Sequence, residues 1–244
     1  MTTEASSDVC PICHGRGWAF VDDNTVKECE CGLLARERQE SKLRFANIPE
    51  TYSAVRLRDF TTKYYSADNK KIAKVAAGAV KYWLDNLETM QENGKGLYFW
   101  SETKGSGKTM LAAAVANELL NSYKKQVKFA TSLDILEEIK SSYDRESQLF
   151  ESRLLKDLAE VEFLVIDDFG TERASDWAGE KFYKIINGRY VNKMMTIFTS
   201  NYDLHKLKYD DRISNRIIER CYLIHFPEES VREVKARMEN VIGG

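Results

Sequence analysis

The residues with the clearest chemical content form one run, Glu102-Thr103-Lys104-Gly105-Ser106-Gly107-Lys108-Thr109. An apolar stretch, Gly96 to Trp100, precedes it, and Met110 to Ala116 follows. The order is strand, glycine-rich turn, helix, which is the setting of a phosphate-binding P-loop. Glycines let successive backbone N–H groups turn inward around phosphate oxygens. Lys108 is placed to reach the β- and γ-phosphates of ATP, and the Thr109 hydroxyl to ligate Mg²⁺. The helix that starts there adds the positive end of its dipole. The pattern G-x-x-x-x-G-K-[ST] is broken at its first position, where Glu102 stands for glycine. A carboxylate there is compatible with a bound triphosphate only if it faces away. A solvated turn that binds nothing is the plain alternative, and the strand–turn–helix context argues against it.

A second run, Phe163-Leu164-Val165-Ile166-Asp167-Asp168, is apolar until it ends in two carboxylates. It reads as a buried parallel strand, and ligands sit at the C-terminal ends of such strands. Asp167 is then the residue that holds Mg²⁺ through water, and Asp168 is placed to orient or deprotonate an attacking water. Alone, an acidic pair after a strand is often only a helix cap. Downstream of a P-loop it is a much stronger signal.

A third constellation is Cys10, Cys13, Cys29 and Cys31, two close pairs separated by a hairpin-like segment. Thiolates at this spacing suit a structural Zn²⁺ tetrahedron, although a single intervening residue in the second pair is tight. His14 is adjacent and is an alternative ligand. Four unrelated reduced thiols are the bland reading, which the clustering disfavours. A module this small needs the metal to fold. Four protein ligands leave no open position for catalysis, so its role is expected to be binding.

The elements that must position these groups fit within 244 residues as one α/β domain and one small module. With 36 Lys+Arg against 38 Asp+Glu, global charge does not advertise nucleic-acid binding, so any DNA contact must come from a local patch. No apolar run has transmembrane length and no signal segment opens the chain. A soluble, cytoplasmic protein without membrane contact is expected. Leu33 to Ala46 reads as a linker helix, broken by Ile48-Pro49. Val55, Leu57 and Phe60 are expected to pack on the next domain. From Asn69, apolar residues recur at helical spacing up to Asn93-Gly94. Gln126 to Thr131 reads as a strand, with Ser132 a candidate cap for a charged helical stretch, Leu133 to Ala159. That stretch interleaves Lys140, Arg145, Arg153 and Lys156 with Tyr143 and Phe150. The pattern fits either a solvated face or single-stranded nucleic acid held by charge and stacking. After Asp168 come a helix from about Asp176 to Tyr190 and a buried strand, Thr196 to Asn201, that ends in a polar amide. Next are a helix with Arg212 and Arg216 on one face, a strand Cys221 to Phe226, and a last helix with Arg232.

Taken together, the P-loop, the Asp-Asp strand, the Thr199-Ser200-Asn201 strand end, the paired-arginine helix and Ser230-Val231-Arg232 resemble an AAA+ ATPase. Within that class the chain is similar to the DnaC/DnaI family of replicative helicase loaders, in the IstB-like ATP-binding superfamily. Ala46 to Tyr52, Ile166 to Glu172 and the N-terminal cysteines carry the finer likeness. The resemblance implies a five-stranded parallel sheet flanked by helices over residues 46–244, and a zinc-ribbon-like, helicase-contacting module over 1–45. It implies phosphate binding by Thr103 to Thr109 and Mg²⁺ coordination by Thr109 and Asp167. It makes Asp168 the activating carboxylate, Asn201 sensor 1 and Arg232 sensor 2. Arg216 becomes the first candidate for an arginine finger in a head-to-tail oligomer, with Arg212 in reserve. It moves the reading of Leu133 to Ala159 toward DNA, through Lys140, Tyr143 and Arg145. The implied function is ATP-dependent loading of a hexameric replicative helicase onto single-stranded DNA, with ATP, Mg²⁺ and Zn²⁺ as cofactors. Two departures, Glu102 and the short Asp168, imply slow hydrolysis. The alternatives are an IstB-like transposition helper, which usually lacks a zinc module, a non-catalytic adaptor, and a small-molecule kinase.

Overall fold

The computed structural model describes residues 9–22, 25–141, 148–172 and 175–239, which fall into two compact units, 1–45 and 46–244. In the first unit, β1 (Trp18–Asp22) and β2 (Thr25–Glu28) form an antiparallel hairpin, and α1 covers Leu33–Ala46. Its small core gathers Cys13, Ala19 and Cys29, with Cys10 and Cys31 packed against them. Among the described residues five contribute to that core, four of them cysteines, so apolar burial there supplies little stability.

The second unit is a five-stranded sheet in the order β4-β5-β6-β3-β7. The strands are β3 (Gly96–Trp100), β4 (Val127–Thr131), β5 (Phe163–Asp167), β6 (Met195–Ser200) and β7 (Cys221–His225). Every pairing is parallel. Alternation along each strand divides the core in two. Leu97, Phe99, Phe129, Phe163, Val165 and Ile197 face one side, with α2 (Ala67–Asp85), α3 (Leu87–Asn93) and α4 (Lys108–Asn121). Tyr98, Ala130, Leu164, Ile166 and Phe198 face the other. There they meet α5 (Ser132–Ser141), α6 (Gln148–Glu160), α7 (Asp176–Val191) and α8 (Asp211–Arg220). A sheet buried on both faces explains why its strands read as continuous apolar runs. A final helix, α9, spans Val231–Glu239.

Two expectations need correction. The helix expected from Asn69 to Asn93 is two helices, broken at Asn86, whose backbone leaves the helical region. Ser132 does not cap α5. Thr131 takes that role, accepting from the Asp134 N–H at 3.0 Å, while Asp134 accepts from the Thr131 N–H at 3.3 Å. Leu57 and Phe60 pack on the first core face as expected, and the buried Asn117 amide holds the same segment by donating to Tyr52 O and Val55 O.

Arg189 ties the far end of the sheet together. It is fully buried and donates to Leu158 O, Val161 O, Met195 O and Thr196 Oγ1 at 2.6–2.8 Å. Burial lowers its pKa, and four oxygens compensate the charge. Arg189→Met keeps an unbranched apolar stem and strips the donors. It should cost about 3 kcal/mol or more, because buried carbonyls lose charged partners. A lower urea midpoint at unchanged slope is the expected result.

Candidate active site

The C-terminal ends of β3, β5 and β6 converge on the P-loop. Gly105 and Gly107 take the left-handed conformation, φ +77° and +95°. A Cβ on Gly107 would lie 2.9 Å from the Tyr65 hydroxyl, and one on Gly105 would lie 2.8 Å from Ser230 Oγ. Both glycines are therefore required by backbone conformation and by space. The Tyr65 hydroxyl donates to Ser106 O at 2.8 Å, and the Val231 N–H donates to Gly105 O at 3.0 Å. The loop is thus braced from the segment before α2 and from the first turn of α9.

Glu102 needs no glycine-only conformation. Its carboxylate is exposed and pairs with Lys206. The N–H groups of Glu102 and Thr103 donate to Glu228 at 3.0 and 2.8 Å, and Glu228 also meets His225 Nε2 at 3.0 Å. The start of the loop is satisfied by a carboxylate from the chain after β7, which frees this position from glycine.

Lys108 is buried, and its ammonium lies 3.0–3.3 Å from Ser101 O, Ser101 Oγ, Thr103 O and Ser106 Oγ. Burial pulls its pKa down to about 8, against the pull of Asp168, Glu228 and Asp167. Asp167 is buried too. One of its oxygens accepts from Thr109 Oγ1 at 2.9 Å and from Thr199 Oγ1 at 2.5 Å. Burial raises its pKa. A hydroxyl and a carboxylate in contact at the mouth of a phosphate-binding loop are the hard oxygen donors that Mg²⁺ takes together with phosphate. The lysine, the two glycines and this oxygen pair fit a Mg²⁺–nucleoside triphosphate.

Asp168 is exposed and sits in the left-handed region at φ +53°. Its N–H donates to Thr199 Oγ1 at 2.9 Å. Thr199 thereby fixes both aspartates from the next strand. Sequence reasoning missed it, although it lies in the Thr199-Ser200-Asn201 strand end that was singled out. Glu228 was also missed, and no local signal exists for a partner 126 positions from Glu102. Asn201 follows β6, half-buried, and its amide makes no hydrogen bond among the described residues. Arg232 is exposed in the first turn of α9, with its Cβ 3.1 Å from the Cβ position on Gly105. Thr103 and Gly107 are half-buried, Lys104 exposed and Ser106 buried.

Arg212 and Arg216 lie together on α8 over the Tyr183 ring, at 4.6 and 4.9 Å. Arg212 pairs with Asp210 at 2.8 Å. Among the described residues Arg216 meets no carboxylate. It donates to Asn187 Oδ1 and Arg212 O at 2.9 Å, and to the Tyr183 hydroxyl at 3.1 Å. Lys140 is exposed on α5, 5.2 Å over the Trp177 ring. Tyr143 and Arg145 lie outside the described residues.

In the N-terminal unit, the sulfurs of Cys10, Cys13, Cys29 and Cys31 all lie within 4.8 Å of one another. Cys10–Cys29 and Cys13–Cys31 are 3.7 and 3.6 Å apart. A tetrahedral Zn²⁺ with bonds of about 2.3 Å spaces its sulfurs about 3.8 Å apart, so the cluster fits that ion. His14 is not in the group.

The model of the IstB-like ATP binding protein family matches residues 23–239. The phage-like element PBSX protein XkdC of Bacillus subtilis is 25% identical, over 98% of this chain and 90% of that protein. The replicative helicase loader DnaC of Buchnera aphidicola subsp. Acyrthosiphon pisum is 28% identical, over 78% of this chain and 80% of that protein. The crystal structure of the DnaC helicase loader superposes with a TM-score of 0.60 at 26% identity, covering 72% of this chain and 99% of that one. Sheet order, P-loop and the carboxylate at the end of β5 are thus those of an AAA+ nucleotide-binding fold, and the chain belongs to the IstB-like ATP binding protein family.

Proposed function

We propose that this protein loads a hexameric replicative DNA helicase onto single-stranded DNA, with ATP binding and hydrolysis at the P-loop as the switch. What carries the reading is the Thr109–Asp167 contact at the mouth of the loop, in a chain that resembles helicase loaders over most of its length. In this reading the backbone of Thr103 to Gly107 surrounds the phosphates and Lys108 pairs with them. Thr109 and Asp167 hold Mg²⁺, which neutralises charge on the phosphate oxygens. Asp168 accepts a proton from the water that attacks the γ-phosphorus, and the bridging oxygen leaves with its electron pair on ADP. Asn201 orients that water and Arg232 contacts phosphate.

The four cysteines hold a structural Zn²⁺, and the module they brace contacts the helicase. Lys140, Tyr143 and Arg145 serve the DNA strand. Head-to-tail self-association brings an arginine of α8 to the neighbour's site. Arg216 is the first candidate and must release its bonds to Asn187 and Tyr183, whereas Arg212 is the more exposed.

With helicase, ATP and circular single-stranded DNA, the protein should transfer the helicase onto the circle. No association with helicase in any nucleotide state would sink this reading. Asp168→Asn should retain ATP and lose about 10²–10⁴-fold in turnover, because the amide cannot take the proton. Normal turnover in a single-turnover assay removes Asp168 from that role. ATP affinity should be flat below pH ~8 and weaken roughly tenfold per unit above it. The sign follows from Lys108: the free protein gives up, at about 8, a proton that the bound state keeps. Metal analysis after reducing purification should find about one Zn²⁺ per chain. Cys29→Ser should release it while ATP binding persists.

A further inference from the structure

Glu172 is a buried carboxylate that the chemistry above leaves unused. It is 6% exposed, and hydrogen-bond donors from three elements converge on it. Ser132, the first residue of α5, donates through its hydroxyl to Oε2. Tyr209, just before α8, donates through its phenol to Oε1. The Gly170 N–H reaches both oxygens at 3.2 Å. Burial raises the carboxyl pKa, and the Ser132 and Gly170 donors oppose that shift. Three donors already hold this carboxylate, and at 6% exposure it is better placed to brace its neighbours than to act on a water itself.

Its neighbours connect it to the group that is. The Ser132 hydroxyl also lies 3.0 Å from Asp168 O, so its one proton is shared between the Glu172 carboxylate and the backbone carbonyl of Asp168. Gly170 belongs to the same left-handed turn, at φ +86° against +53° for Asp168. A non-glycine residue in that region persists only when its surroundings hold it there. Further restraints on the turn are Thr199 Oγ1 on the Asp168 N–H, the Phe169 N–H on Thr199 O at 2.8 Å, the Thr171 hydroxyl and N–H on Asp168 O at 2.7 and 3.2 Å, and the Ser200 hydroxyl on Phe169 O at 2.7 Å. The Tyr209 ring stacks on Phe169, centroids 5.4 Å apart, which seats the phenol against the turn.

We propose that Glu172 is a positioning residue for hydrolysis: clamped by Ser132, Tyr209 and the Gly170 N–H, it sets the turn that aims the Asp168 carboxylate. The inference rests on Asp168 acting on the attacking water. Because its two hydroxyl partners sit at the roots of α5 and α8, the aim of Asp168 follows the seating of the helix that carries Lys140 and the helix that carries Arg212 and Arg216. Hydrolysis is thereby tied to the faces proposed for DNA and for the neighbouring subunit.

The mildest probe is Tyr209→Phe, which keeps the stack on Phe169 and removes one donor. Glu172→Gln keeps the volume and turns an amide donor toward donors. ATP turnover, nucleotide affinity and thermal midpoint are measured on the full chain for both. Expected are a kcat lower by about tenfold for Tyr209→Phe, and by up to about a hundredfold for Glu172→Gln. Affinity should change less than about twofold, within the ordinary context-dependence of such contacts. In an Asp168→Asn background Tyr209→Phe should cost nothing further, since it acts through Asp168. Parent-like kcat in both variants overturns the proposal. So does an equal loss of kcat and affinity, or a full further loss in the Asp168→Asn background, which mark general structural support. If Asp168→Asn is inactive while Tyr209→Phe and Glu172→Gln are both fully active, only the role of Glu172 falls. If the parent turns over no ATP with or without single-stranded DNA, the hydrolase reading falls first and the positioning role with it.

Discussion

A lysine buried among neutral oxygens is the constraint on which the rest of this molecule depends. Lys108 is 5% exposed, and the groups in hydrogen-bond reach of its ammonium are two hydroxyls and two carbonyls rather than a carboxylate. Removing a cation from water without an anionic partner is costly, and the lowered pKa records that cost. The site is therefore poised for an anion. Asp168, Glu228 and Asp167 oppose that shift from a distance, and none of them is among the groups in hydrogen-bond reach of the ammonium.

Holding that arrangement requires a rigid sheet edge, and the two-faced core supplies it. Alternating side chains of β3, β5 and β6 commit each strand to both core clusters, so register cannot slip by one residue without exchanging the two faces. The P-loop is further pinned by contacts distant in sequence, Tyr65 on Ser106, Val231 on Gly105 and Glu228 on Glu102 and Thr103. Thr199 performs the equivalent task for the aspartates from the neighbouring strand. Electrostatic preorganisation of this kind requires no rearrangement when charge develops.

How far the sequence foretold this depended on whether the determinant was local. The P-loop, the Asp167-Asp168 strand end and the strands were legible because each is written in adjacent residues with a physical reason for their order. The cysteine cluster was legible by spacing. The exemption of Glu102 from glycine was not, because it comes from a carboxylate far along the chain. Ser132 reads locally as a helix cap, yet its hydroxyl goes to Asp168 O and Glu172, and Thr131 takes the cap instead. The break at Asn86 was hidden because the apolar period continues through it, with Leu84 and Leu87 both in the core. Arg212 and Arg216 share a face as their spacing required, but their different partners, Asp210 for one and Asn187 with Tyr183 for the other, are set by tertiary packing.

The central claim is that Lys108 and the Thr109–Asp167 pair together form a Mg²⁺–ATP site. Calorimetric titration of ATP, with and without Mg²⁺, into the parent protein, Lys108→Ala and Asp167→Asn tests it most directly. The account predicts one ATP per chain in the parent, tighter with Mg²⁺, loss of binding in Lys108→Ala, and loss of the Mg²⁺ enhancement in Asp167→Asn. Binding in Lys108→Ala as tight as in the parent, or a Mg²⁺ enhancement untouched by Asp167→Asn, would contradict it.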